Sequence, residues 1–143
     1  AWNLIKIGDE YGWVDTTWDD PNFTDEQGGS RDYTYFGIST ADLTKTHTLD
    51  SSLTTYPDIA EPSWNYFTKE GLSFDLNNSG DFSKITQAID NEAAAGGHEL
   101  MVRVASADQV DTLLNNMSYD KVSSNYNLTY IRNDYYPVIR FMF

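Results

Sequence analysis

Apolar and polar residues alternate along much of the chain, which is the pattern of half-buried β-strands. This alternation predicts eight strands, over residues 2–7, 11–17, 33–38, 64–68, 72–76, 98–105, 126–132 and 135–143. The fourth and fifth are expected to form a hairpin across Gly71, and the last two a hairpin across Asn133 and Asp134, because these residues tolerate positive φ in turns.

Apolar residues spaced three and four positions apart predict two helices. The first covers residues 82–95, and the glycine at Gly96 favours a left-handed stop after it. The second covers residues 107–117. Ser106 stands directly before this helix and Gln109 follows three residues later, which is the spacing of a capping box. This spacing predicts that the helix begins after Ser106.

Residues 39–63 are rich in Ser, Thr, Asp and Pro, and they predict a long loop with a short helical turn after Ser39. From residue 72 onward the predicted order is strand, helix, strand, helix, strand, strand. We therefore expect an α+β fold that forms a single domain over residues 1–143, with a largely antiparallel sheet and two helices packed on one face.

The charge balance changes which partners are expected. The chain of 143 residues has 22 acids against 9 bases and a formal net charge of −13. This field disfavours nucleic acids and anionic membrane surfaces, and no apolar run approaches the roughly 18 residues of a membrane span. The absence of cysteine excludes disulfides and thiolate metal sites.

The sequence contains no recognisable catalytic motif. His98 precedes Glu99, but the second histidine of an H-E-x-x-H motif is missing because Val102 stands in its place. His47 lies in the polar loop, and neither a nucleophile elbow nor a phosphate-binding glycine motif occurs. We therefore expect neither enzymatic activity nor a cofactor.

A short polar segment resembles the first half of an EF-hand or dockerin-type calcium loop. Its candidate ligands are Asp75, Asn77, Ser79 and Asp81, with oxygen-bearing side chains at alternate positions around Gly80. The closing carboxylate is missing, because the twelfth position is Thr86. This makes a metal site a weak candidate, and the favoured interpretation is a polar strand-to-helix connection in which Asp81 or Ser83 caps the helix.

Two segments are candidates for contact with a partner protein. The first is acidic, with eight acids over residues 9–32 against one base; its candidate residues are Asp15, Asp19, Asp20, Asp25 and Glu26. It predicts a docking surface for a basic partner or a cation, although a solvated loop has the same composition.

The second candidate segment is the apolar C-terminal end. Its candidate contact residues are Val138, Ile139, Phe141 and Phe143, and Pro137 indicates that the strand starts at a sheet edge. An edge strand is able to pair with another chain or another subunit. The alternative is a last strand docked in the protein's own core.

Three functions fit these patterns. The favoured one is a non-enzymatic structural or assembly protein, specifically a small virion (phage) structural or decoration component that acts through contacts with other protein subunits, in a virion or extracellular setting. The alternatives are an acidic inhibitor or immunity-type protein that blocks a basic site, and a carbohydrate-binding module with a Trp/Tyr surface. The aromatic candidates for that surface are Trp13, Trp18, Trp64 and Tyr66.

Overall fold

The computed structural model describes residues 2–19, 31–50, 52, 55–117 and 127–143. Contacts divide the chain into two compact units, Ala1–Glu70 and Gly71–Phe143. Among the described residues each unit contains one sheet and two helices, which confirms the α+β class. The strands thus fall into two sheets rather than the one sheet predicted, and the single domain stays a prediction.

The unit Ala1–Glu70 is built on a three-stranded antiparallel sheet with the order β1-β2-β3. Its elements are β1 (Asn3–Ile7), β2 (Glu10–Val14), β3 (Phe36–Ile38), α1 (Thr40–Leu43) and α2 (Tyr66–Lys69). The predicted helical turn after Ser39 is confirmed, because the Ser39 hydroxyl accepts a hydrogen bond from the N–H of Asp42 and caps α1.

The predicted strand over residues 64–68 is wrong, because this segment begins a helix instead. Asn65 is fully buried, and its side-chain oxygen accepts hydrogen bonds from the N–H groups of Phe67 and Thr68. Its amide also donates to the carbonyls of two residues of β3, at 3.1 and 3.3 Å. This N-cap starts α2 and outweighs the strand preference of the aromatic residues around it.

Two glycines allow the backbone to approach the ring of Trp64. A Cβ atom on Gly12 would lie 2.7 Å from this ring, and one on Gly37 would lie 2.8 Å from it. Gly37 also has a positive φ of 76°. The indole therefore packs directly on the backbone of β2 and β3, which buries Trp64 in the unit.

The unit Gly71–Phe143 contains a four-stranded sheet with the order β4-β5-β7-β6. Its elements are β4 (Ser73–Phe74), α3 (Asp81–Ala94), β5 (Glu99–Val104), α4 (Ala107–Asn116), β6 (Thr129–Arg132) and β7 (Val138–Met142). β4 runs parallel to β5 because α3 forms the crossover between them, whereas β7 is antiparallel to both β5 and β6. The fold is therefore largely antiparallel, as predicted.

The C-terminal strand β7 lies inside the sheet, so the predicted edge position is wrong. On one side Phe143 N–H donates to the carbonyl of His98, and on the other Asn133 N–H donates to that of Val138. Pro137 precedes β7, and its carbonyl accepts the N–H of Val104 at 2.9 Å. Because Pro137 stands before the first residue of β7, it removes no N–H from the strand itself, so this proline is compatible with an inner strand.

Residues from both long helices belong to one hydrophobic core. Ile85 and Ile89 of α3 and Val110 and Leu113 of α4 are buried with the following strand residues: Phe74, Leu100, Val102, Val104, Ile139 and Phe141. Leu100 pairs with Phe141 and Val102 with Ile139, so these side chains share one face of the sheet. That both helices cover this face stays a prediction.

The capping of α4 follows only half of the predicted box. The Ser106 hydroxyl accepts the N–H of Gln109 at 3.3 Å. The Gln109 side chain instead accepts hydrogen bonds from the N–H groups of Leu76 and Ala105 and donates to Asp75. Gln109 thus joins the start of α4 to the loop that precedes α3.

The buried face of α4 gives a stability prediction. Leu113 is fully buried, whereas its neighbour Leu114 is only partly buried. We expect Leu113→Ala to lower the free energy of unfolding by about 2–5 kcal/mol, because it leaves a cavity in the core. Leu114→Ala removes the same atoms from a looser site and should cost clearly less. Urea unfolding of both variants measures this, and equal losses would show that the helix face is assigned wrongly.

Candidate functional site

The first feature of the candidate site is a buried carboxylate directly after β2. Asp15 Oδ2 lies 2.8 Å from His47 Nε2, and Oδ1 accepts hydrogen bonds from the N–H groups of Thr17 and Trp18 at 2.9 and 3.3 Å. Burial by itself raises the pKa of Asp15, but these three hydrogen bonds contribute to a net lowering below its ordinary value. The ionised carboxylate therefore anchors the turn over residues 16–19.

Aromatic rings surround the imidazole that pairs with this carboxylate. The ring of His47 lies 4.8 Å from that of Trp2, 4.7 Å from that of Trp18 and 5.6 Å from that of Tyr35. Its second nitrogen, Nδ1, lies 2.8 Å from the hydroxyl of Thr46. Both ring nitrogens thus have protein partners and the imidazole is buried, which fits an anchoring role.

The second feature is a cleft of about 240 Å³ beside this turn. It is lined by Val14, Thr16, Asp19, Arg31, Asp32, Tyr33 and Phe36, all within the unit Ala1–Glu70. Because a water molecule occupies about 30 Å³ of the liquid, the cleft has room for a small ligand. Its lining combines apolar and aromatic walls with two carboxyl groups and one guanidinium group.

Asp19 is held in a fixed position in the lining of this cleft. Its N–H donates to the carbonyl of Asp15 at 3.0 Å, and its carbonyl accepts the N–H of Asp32 at 3.1 Å. Asp19 Oδ1 accepts the N–H of Tyr35 at 2.8 Å. Asp19 Oδ2 is buried and has no hydrogen-bond partner among the described residues. One oxygen of this carboxyl group therefore has no protein donor among the described residues.

The surroundings of Asp19 change its protonation. Burial raises the pKa of Asp19 to about 8, against the lowering effect of the N–H of Tyr35; the charges of Asp32 and Asp15 raise it further. At neutral pH the Asp19 carboxyl is therefore mostly protonated. Strongly shifted carboxyl groups in clefts are candidates for functional sites.

The acidic residues predicted to dock a partner have different environments. Asp15 is buried against His47, and Asp19 lines the cleft as a mostly neutral acid. The other three candidates lie outside the described residues: Asp20, Asp25 and Glu26. Sequence reasoning missed the contact between Asp15 and His47, because 32 positions separate them and no motif links them.

The segment that resembles half of a calcium-binding loop connects β4 to α3. Its four candidate ligands are Asp75, Asn77, Ser79 and Asp81. Asp75 accepts hydrogen bonds from Gln109 Nε2 at 2.7 Å and from the N–H of Asn77 at 3.0 Å. Asp81 accepts from Lys84 Nζ at 2.6 Å and from the N–H of Asp75 at 3.1 Å. Within the described ranges no group of three or more His, Cys, Asp or Glu residues is placed to hold a metal. These carboxylates thus already have protein donors.

The apolar residues of the C-terminal segment lie in the protein's own core. Val138, Ile139 and Phe141 are buried, and Phe143 is partly buried against the same core. A contact between these residues and a partner stays a prediction. The structure places the exposed apolar side chains on the neighbouring strand β6 instead, where all four residues are exposed.

The backbone of β6 has one side available for pairing. Because Asn133 N–H bonds to the carbonyl of Val138, the alternation of an antiparallel ladder directs the backbone groups of Thr129 and Ile131 toward β7. Those of Tyr130 and Arg132 then point outward. No strand of the described part of the chain pairs with this outer side.

The aromatic platform predicted for sugar binding loses two of its four members. Trp13 and Trp64 are buried in the core of the unit Ala1–Glu70. Trp18 is exposed, with its ring edge-on to Tyr35, and Tyr66 stacks on Tyr33 at 4.0 Å. The structure therefore gives less support to this surface than the sequence does.

No model of a known protein family matches the chain, and no curated protein matches it. No helix within the described residues has the length and apolar character needed to cross a membrane.

The raised pKa of Asp19 gives a prediction about stability and pH. The folded protein keeps this proton up to about pH 8, whereas the unfolded chain releases it near 3.8. The stabilisation by protonated Asp19 is therefore complete below pH 3.8 and is lost as the pH rises to about 8. Asp19→Asn cannot ionise, so wild type should lose stability relative to this variant between pH 5 and 8, by at most about 1.4 kcal/mol per pH unit.

Urea unfolding at several pH values measures this difference. Asp58→Asn serves as the control, because Asp58 is an exposed acid of the same unit that does not line the cleft. Parallel pH profiles for wild type and Asp19→Asn would contradict the raised pKa.

Proposed function

We propose that the protein is a non-enzymatic structural protein whose copies join through the outer edge of β6, as a building block of a virion or another extracellular assembly. The observation that carries this proposal is the exposed edge of β6, where outward backbone groups accompany apolar side chains. Unpaired strand edges are templates for pairing with another chain.

The side chains of β6 distinguish it from a protected edge. Tyr130 is 49% exposed and Ile131 is 56% exposed, and nearby Tyr135 is 63% exposed. β6 contains no proline and has apolar residues at its centre. By contrast, the edge strand β1 carries Lys6 within the strand, a residue type that discourages edge pairing.

The sequence of β6 is complementary to itself in an antiparallel pair. If the outward groups of Tyr130 and Arg132 form the hydrogen bonds, Tyr130 of one copy lies opposite Arg132 of the second copy. The two Ile131 side chains then face each other at the two-fold axis, in a closely spaced pair. An aliphatic pair and two Tyr–Arg pairs are favourable cross-strand combinations, each contributing roughly 0.2–1 kcal/mol.

The charge distribution also favours contact at this end of the chain. Residues 120–143 contain two acids and three bases, although the whole chain carries a formal net charge of −13. Two copies that meet along β6 therefore bring together their least acidic segments, whereas a contact through residues 9–32 would bring eight acids of each copy together.

The two alternative functions have weaker support. An acidic inhibitor needs exposed carboxylates, but Asp15 is buried and Asp19 is mostly neutral at pH 7. A carbohydrate-binding surface needs exposed rings, but Trp13 and Trp64 lie in the core. We therefore favour assembly through β6 over both.

A proline at an outward position tests the pairing directly. Arg132→Pro removes an outward N–H without removing a hydrogen bond to β7, and Ile131 before it is already extended, as proline requires. We expect this variant to remain folded by circular dichroism and to be monomeric in sedimentation velocity, while wild type self-associates.

Arg132→Ala is the matched control. It loses the same guanidinium group and the same exposed ion pair with Asp111, which spans 2.7 Å, but it keeps the N–H. Because exposed ion pairs contribute about 0–1 kcal/mol, Arg132→Ala should still self-associate. Wild type that stays monomeric at high concentration, or a proline variant that assembles as well as wild type, would refute the proposal.

A further inference from the structure

We infer that the cleft beside the Asp15 turn binds an alkylammonium group, carried by a small primary amine or by a lysine side chain. The cleft belongs to the unit Ala1–Glu70, and the following residues line it: Val14, Thr16, Asp19, Arg31, Asp32, Tyr33 and Phe36. This site is separate from β6 and does not depend on the assembly proposed above.

The carboxyl groups supply the recognition of the ammonium. Asp19 Oδ1 is occupied by the N–H of Tyr35, while Oδ2 is buried with no hydrogen-bond partner among the described residues. Asp32 contributes a second carboxyl group to the same lining. An ammonium has three donors, so it can satisfy Asp19 Oδ2 and still reach a second acceptor. Hydrogen bonds between ionised partners are also stronger than neutral ones.

The aromatic walls supply a preformed surface for the alkyl chain. The ring of Tyr33 stacks on that of Tyr66 at 4.0 Å with an interplanar angle of 10°. The ring of Phe36 meets that of Trp64 edge-on at 5.7 Å. These contacts hold both rings in place before a ligand enters. Methylene groups can then pack on Val14 and the rings, and the charged end gains from the faces of the rings.

The charged groups around the cleft favour a cation over an anion. Once Asp19 is ionised, the lining holds two carboxylates, those of Asp19 and Asp32, and one guanidinium, that of Arg31. Asp15 is not among the lining residues and is already paired with His47. The formal net charge of −13 also attracts cations toward the protein. Above the pKa of Asp19, a carboxylate ligand would instead meet two carboxylates with only Arg31 of the lining to balance them.

Binding is coupled to the release of one proton. In the free protein the Asp19 carboxyl is mostly protonated at neutral pH, and the ligand arrives as R–NH₃⁺. The carboxyl gives its proton to solvent and the resulting carboxylate pairs with the intact ammonium, so the charges balance. Affinity should therefore rise roughly tenfold per pH unit below the pKa of Asp19, then fall as the amine itself loses its proton near about pH 10.

Calorimetric titration with n-butylammonium chloride at pH 6, 7 and 8 tests this inference. We expect the affinity to increase with pH, and n-butanol, a neutral ligand of the same length, to bind at least tenfold more weakly at pH 8. Asp19→Asn keeps the side-chain shape and the bond to Tyr35 but cannot ionise, so it should lose at least tenfold in affinity and the pH dependence. Asp58→Asn removes one exposed charge outside the lining and should bind like wild type.

Two ligands separate the possible sources of the ammonium. If N-acetyl-lysine methylamide binds as well as n-butylammonium, the cleft takes a lysine side chain of another protein; if only n-butylammonium binds, it takes a small amine. The inference is overturned if n-butanol binds equally well, if Asp19→Asn and Asp58→Asn behave alike, or if wild type shows no binding at millimolar n-butylammonium. Circular dichroism of each variant confirms that it is folded.

Discussion

The two-sided hydrogen bonding of β7 is the constraint on which the Gly71–Phe143 unit depends. β7 uses the backbone groups of alternate residues toward β5 and those of the remaining residues toward β6. This arrangement places Ile139 and Phe141 in the core with residues of α3 and α4. Because β7 is an inner strand, the open edge of the sheet is β6. The outward backbone groups and the exposed apolar side chains therefore occur together on β6.

In the Ala1–Glu70 unit, a buried carboxylate has the corresponding role. Asp15 holds the turn that follows β2 by accepting hydrogen bonds from its backbone, and His47 supports that carboxylate from a distant part of the chain. The same turn positions Asp19, whose partly buried side chain has one carboxyl oxygen, Oδ2, with no hydrogen-bond partner among the described residues. The anchored turn thus contributes Thr16 and Asp19 to the lining of the cleft.

Features that depend on residues close together in the chain, such as helices and their serine caps, could be predicted from the sequence. The helical periodicity and the glycine after the first long helix located α3 and α4, and Ser39 and Ser106 capped the helices expected to follow them. The strand predicted around Trp64 failed because Asn65 caps a helix there and bonds to β3, a partner that is distant in sequence.

The candidate sites were less predictable, because they depend on strand order and on distant contacts. Pro137 indicates an edge only where it lies inside a strand, and β7 begins one residue after it, at Val138. The identity of β6 as the open edge likewise required the order β4-β5-β7-β6. The pair formed by Asp15 and His47 has no sequence signature, so neither the anchored turn nor the cleft could be predicted from residue types.

Hydrogen exchange of individual β6 amides tests the central claim most directly. In dilute protein the amide of Ile131, which points toward β7, should be protected, while those of Tyr130 and Arg132 should exchange rapidly. As the protein concentration rises, edge-to-edge pairing should protect Tyr130 and Arg132 and leave Ile131 nearly unchanged. Protection of all three amides at the lowest concentration, or exchange at Tyr130 and Arg132 that never slows with concentration, would contradict an open edge that joins two copies.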